Sequence, residues 1–152
     1  MTLATGGTRS RLSGFGLRLL TAAGLAYSAY AHWHLHAQYA ENRTSLLSQS
    51  DVFVVQAVAC VVAAVLLLAL PGRIPLRFQV GVWLLAFVVA VGSLAAVFIY
   101  RYVDLGRIGP LPDMYEPVWY GLKTRSAVAE AVAATASAAG LLQLFLARRQ
   151  TR

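Results

Sequence analysis

The stretch "DVFVVQAVACVVAAVLLLALPGRIPLRF", residues 51–78, decides the fold. As far as Leu70 it carries one charge, Asp51 at its edge. Wound as a helix it spans about 30 Å, the hydrocarbon thickness of a bilayer. Pro71 and Gly72 then stop the helix, Arg73 and Arg77 bring charge, and Pro75 stands where a first-turn proline is tolerated. A second apolar run follows at once, so the segment reads as a tight hairpin between two membrane-crossing helices.

Outward from this hairpin, runs of the same kind cover residues 14–38, 76–100 and 124–146, beside 51–70. Of 152 residues, 59% are hydrophobic and 12% charged, and the mean hydropathy of +0.63 lies outside the range of soluble chains. The expected fold class is all-α, a four-transmembrane-helix bundle. Residues 1–13 read as a disordered cytoplasmic tail, 101–123 as an outer loop and 147–152 as a basic cytoplasmic tail. Lipid is the main solvent and the bilayer the first partner.

A net charge of +7 invites a nucleic-acid reading, but the basic residues stand at the ends of apolar runs and not on one soluble face. They fit the positive-inside rule instead. Arg9, Arg11, Arg18, Arg73, Arg77, Arg148, Arg149 and Arg152 share one side of a four-span chain, and every acidic residue falls in the outer half. Both termini are therefore expected in the cytoplasm (N-in/C-in), in a multi-pass protein of the cell inner membrane. Nearly all the basic residues are arginine, and alanine and valine abound, which points to a GC-rich bacterial genome.

Local signals agree. Ser50 or Asp51 is the expected N-cap of the second helix, and Thr124 that of the fourth. Trp33, Tyr39, Tyr100, Tyr102, Tyr115, Trp119 and Tyr120 form an outer aromatic belt. Arg9 and Arg11 followed by "AYA" at residues 29–31 mimic a secretory signal, whose removal would leave three spans and a new terminus at His32; Arg18 and Tyr27 interrupt the apolar region and argue against it. Cys60 is the only cysteine, so no intrachain disulfide forms.

The first run ends in "AHWHLHAQYAEN", with three histidines on alternate residues. A lone strand is excluded in lipid, so the segment is expected to be helical, with His32 and His36 one turn apart on one face and His34 elsewhere. His32 lies about 10 Å below the outer boundary, His36 about 5 Å and Glu130 about 9 Å. Gln56 sits at the same level on the second helix, with Arg101 above at the end of the third. This polar layer in the outer third of the bilayer is the candidate site. One reading is a His32/His36/Glu130 metal site suited to zinc or copper; another is a protonatable group serving ion or quinone chemistry. In the plain reading, Glu130 pairs with Arg101 or Arg125, or lifts its carboxylate to the headgroups, and the histidines are interfacial residues beside Trp33 and Tyr39. No cofactor is identified.

Helices one and four, rich in Gly, Ala and Ser, are expected to pack together and bring His32 toward Glu130. The proline-rich segment 101–125 is either an interfacial connector or a lid over the polar layer. Asn42–Thr44 matches a glycosylation acceptor of little weight in a short bacterial loop. Elbow, P-loop, HExxH, CxxC and dinucleotide signatures are absent.

"RLSGFGLRLLTAAGLAYSAYAHWHLH", leading into three more spans, resembles the start of small four-helix bacterial membrane proteins, actinobacterial ones among them, and is similar in outline to the DoxX-like group. The likeness covers the whole chain as topology, without a diagnostic motif or a transferable catalytic residue. It implies association with membrane oxidoreductase or thiol-stress assemblies. The expected function is that of a non-enzymatic accessory or scaffolding subunit, working with membrane protein partners or as a homo-oligomer. The alternative is an oxidoreductase-type or metal- and proton-handling subunit built on the polar layer.

Overall fold

The structure, a computed structural model, describes residues 5–70 and 74–150. They form four long helices: α1 Thr5–Leu35, α2 Gln49–Ala69, α3 Leu76–Tyr102 and α4 Gly121–Gln150. A 3₁₀ turn, His36–Tyr39, follows α1. Among the described residues there is no strand, only two isolated bridges in the outer loops. The hairpin turn at Pro71, Gly72 and Arg73 lies outside the described residues.

Boundaries differ from the sequence reading at several places, the start of α4 among them: the helix begins at Gly121, so Thr124 lies inside it and is not its cap. From Thr5 onward the expected N-terminal tail is helical, and α4 carries its helix to Gln150 through the expected basic tail. The first helix ends at Leu35, short of Gln38, because the chain tightens into the 3₁₀ turn. The cap of α2 is Ser48, not Ser50 or Asp51. Its hydroxyl accepts from Asp51 N at 3.0 Å while the Asp51 carboxylate accepts from Ser48 N at 2.8 Å, so Asp51 is the far half of a reciprocal box.

Helices α2, α3 and α4 are long and apolar enough to cross a membrane, with mean hydropathies of 2.9, 2.6 and 1.5. Helix α1 has the length but a more polar run, interrupted by Arg18 and carrying the fully buried Thr21 and Ser28. Arg18 has a local solution: its guanidinium donates to Leu67 O and, at 3.0 Å, to Leu70 O, and lies 5.4 Å from the Trp83 ring centre. Those carbonyls are the unpaired, negative end of α2, where a cation is welcome. One side chain thus ties α1 to α2 and α3.

The helices form a square. α1 packs on α2 and α4, α3 packs on α4, α1 and α3 barely meet across the centre, and the α2–α3 seam is the thinnest side. The core is built from Leu25, Leu67 and Trp83 among fully or nearly buried alanines. Val55, Val58, Val61, Val65 and Leu68 leave the outer face of α2 apolar and exposed, the surface a hydrocarbon solvent requires.

Small residues set the closeness of α1 and α4, as the sequence predicts. A Cβ on Gly24 would stand 2.5 Å from Ala129 O and 2.9 Å from Ala133 Cβ, and one on Gly140 would stand 2.5 Å from the Trp83 ring. Backbone cannot yield as a flexible side chain does. Replacing Gly24 by Val is expected to cost about 1–3 kcal/mol of overpacking and lower the unfolding midpoint in detergent. Gly16→Ala, with nothing within 4 Å, is expected to leave it unchanged; equal midpoints for the two variants would contradict the α1–α4 packing.

Candidate functional site

Glu130 is fully buried near the N-terminal end of α4. Its Oε1 accepts hydroxyl protons from Ser28 of α1 at 2.8 Å, Ser93 of α3 at 2.7 Å and Ser126 of α4 at 3.0 Å. Three hydroxyls directed at one oxygen solvate a carboxylate much as water would, and such charge-assisted bonds are the stronger kind. Oε2 is equally inaccessible and has no hydrogen-bond partner among the described residues.

The cluster extends to α2 through Ser28. Gln56 Nε2 donates to Cys60 Sγ at 3.4 Å, Cys60 Sγ donates to Ser28 Oγ at 3.7 Å, and Ser28 passes its own proton to Glu130. This is a directed chain in which each bond polarises the next. His32 joins from one turn above: its Nδ1 lies 2.8 Å from Ser28 O, a carbonyl that only accepts, so Nδ1 is the donor. The same nitrogen lies 3.4 Å from Ser28 Oγ, and the ring meets Phe53 edge-on. All four helices contribute to one polar knot.

Of the residues singled out from sequence, Glu130, His32 and Gln56 therefore belong to one network. His36 does not. It sits in the 3₁₀ turn beyond α1, where the helical register fails, bonded to Trp33 O and stacked on the Trp33 ring at 4.9 Å. His34 stacks on Tyr30. Among the described residues no group of three His, Cys, Asp or Glu side chains is placed to hold a metal ion, so the His32/His36/Glu130 set is not assembled. Arg101 lies over the Tyr102 and Trp119 rings, with its buried Nε unpartnered, and Arg125 Nε donates to Gly121 O. Glu130 turns to serines where the plain reading gave it an arginine.

Beside the knot, toward the N-terminal end of α4, is a cavity of roughly 140 Å³. Ser93 and Ser126 belong both to its lining and to the Glu130 cluster. The rings of Tyr39, Phe53, Tyr100 and Tyr120 line it among aliphatic side chains, and Met114 and Glu116 come from the outer loop. Ala96 on α3 lines it and is also exposed.

The outer loop is held down over this space. Pro112 and Met114 are buried, Glu116 N donates to Tyr100 O at 2.9 Å, Thr44 Oγ1 donates to Pro110 O at 2.8 Å, and Asn42 Nδ2 donates to Asp113 O. Lys123 Nζ donates to Glu116 O and faces the Trp119 ring. Tyr39 and Tyr120 share a 3.3 Å hydroxyl contact; burial, then that bond, raises Tyr120 above the ordinary tyrosine range and keeps it a neutral phenol. Met114, Glu116 and Tyr120 of this segment border the cavity.

Comparison with known protein families, curated proteins and solved structures finds no match.

Sequence reasoning missed Ser28, Ser93, Ser126 and Cys60 as partners. One signal was available: Ser126 precedes Glu130 by four residues, a single helical turn. Replacing Glu130 by Leu is expected to leave the serine hydroxyls without their acceptor and to cost about 1–3 kcal/mol. Glu130→Gln, which keeps an oxygen at the same reach, is expected to cost less. Unfolding midpoints in detergent measure both; a Leu variant as stable as the parent would show that the knot contributes nothing to the fold.

Proposed function

We propose that the chain is a non-enzymatic, four-span protein of a bacterial inner membrane, with both ends in the cytoplasm. It serves as an accessory subunit of a membrane assembly and holds a small, largely apolar ligand in the cavity above the polar layer. One observation supports the ligand: a ring-sized space bordered by all four helices and the loop before α4, mainly apolar in its walls, with hydroxyls at its floor. An apolar cavity of about 150 Å³ in a protein interior stays dry and binds benzene. Apolar walls with a few convergent polar groups are the usual make-up of a ligand site.

The outline likeness to the DoxX-like group belongs to the same proposal and would place the assembly among membrane oxidoreductases. A partner protein, or a second copy of the chain, completes it.

Fluorobenzene added to the purified protein in detergent is expected to give NMR cross-relaxation to the Ala96 and Val97 methyl groups. Ala96→Trp, at an exposed position of α3 that tolerates bulk, is expected to abolish it. No cross-relaxation in the parent, or the same signal in the variant, overturns ligand binding.

The directed chain from Gln56 through Cys60 and Ser28 to Glu130 favours a second reading, in which the layer handles a proton for its partner. An infrared carboxyl band that changes with pH in reconstituted protein and is missing in Glu130→Gln supports it. A band that stays constant across the accessible pH range overturns it.

A further inference from the structure

The floor of the cavity differs chemically from its walls. Behind Ser93 and Ser126 stands a carboxylate that is fully buried and has one oxygen without a partner. Charged groups on the lining are few: Lys123, whose ammonium is engaged by Glu116 O and faces the Trp119 ring, and Glu116 at the outer loop. Arg101, whose charge also bears on Lys123, adds a cation nearby, and the carboxyl group of Glu130 stands behind the two serines, outside the lining itself. Tyr39, Phe53, Tyr100 and Tyr120 present aromatic rings to the same space, and ring faces attract cations once water is excluded.

We infer that the cavity takes a lipid-soluble amine, its small apolar body among the aromatic walls and its protonated amino group set toward the Ser93, Ser126 and Glu130 floor. This rests on the proposal that the cavity is a ligand site and adds the ligand's chemical class. A free anion brings no donor to this acidic floor, and a neutral ring leaves the unpartnered Glu130 oxygen as it is. An ammonium has donors both for the serine oxygens and for a carboxylate. The charge-assisted contact is strengthened by the low dielectric around it. Ala96, the exposed lining residue, lies six residues before the end of α3, about 9 Å along the helix.

The test compares benzylamine with benzyl alcohol, its neutral isostere, at neutral pH and equal detergent concentration. Affinities are read by NMR cross-relaxation to the Ala96 and Val97 methyl groups. Benzylamine is expected to bind at least tenfold more tightly than benzyl alcohol, Glu130→Gln is expected to reduce that ratio to near one while benzyl alcohol still binds, and Ser93→Ala is expected to lower it several-fold. Should Glu130→Gln not fold, the parent protein and Ser93→Ala decide. A ratio near one in the parent overturns the amine and leaves the ligand site standing; failure of both rings to bind overturns both. A ratio unchanged in Glu130→Gln overturns the role of the carboxylate, and suppression of benzylamine binding by equimolar sodium shows an inorganic cation site in its place.

Discussion

A carboxylate inside an apolar bundle has to find its donors within the protein, and this constraint organises the outer half of the molecule. Lipid offers none, and an ionised group left alone there costs several kcal/mol. Glu130 meets the requirement with one oxygen bonded to serines on α1, α3 and α4. Sliding any of the three helices by one residue would carry its serine out of reach, so the cluster acts as a register pin. Cys60 and Gln56 extend it to α2.

Serine is short, and the pin works only because the backbones come close. Gly24 against Ala129 and Ala133 gives α1 and α4 that approach, and the alanine-rich core does the same elsewhere. At the opposite end, Arg18 meets the open carbonyls of α2 and lies over Trp83 of α3. The bundle is thus fastened by polar ties at two depths with small-residue packing between them. In a setting where apolar contact gives helices little reason to prefer one another over lipid, close packing and internal hydrogen bonds supply the specificity.

Above the pin the side chains change character. Tyr39, Phe53, Tyr100 and Tyr120 are too large to let the helices close, and the space they hold apart is covered by a loop anchored at Tyr100, Thr44 and Asn42. The prolines of that loop keep it from continuing either helix, and its Pro112 and Met114 turn inward. Cavity, floor and bordering loop follow from one transition along the helices, from small residues to aromatic ones.

Charge-free runs, the Pro-Gly stop and the small-residue faces were enough to read four helices, their order and the pairing of the first with the last, because hydropathy and backbone chemistry are local properties. Depth along each helix was also legible, which is why Glu130, His32 and Gln56 were assigned to one layer. Tertiary structure alone decided the partners. Which serines face Glu130 depends on the rotation of each helix about its axis, and the short polar side chains that set it are indistinguishable in sequence from those used for packing. The 3₁₀ turn that removes His36, the contacts that engage Arg101 elsewhere and the cavity itself arise only once four helices and a loop are packed together.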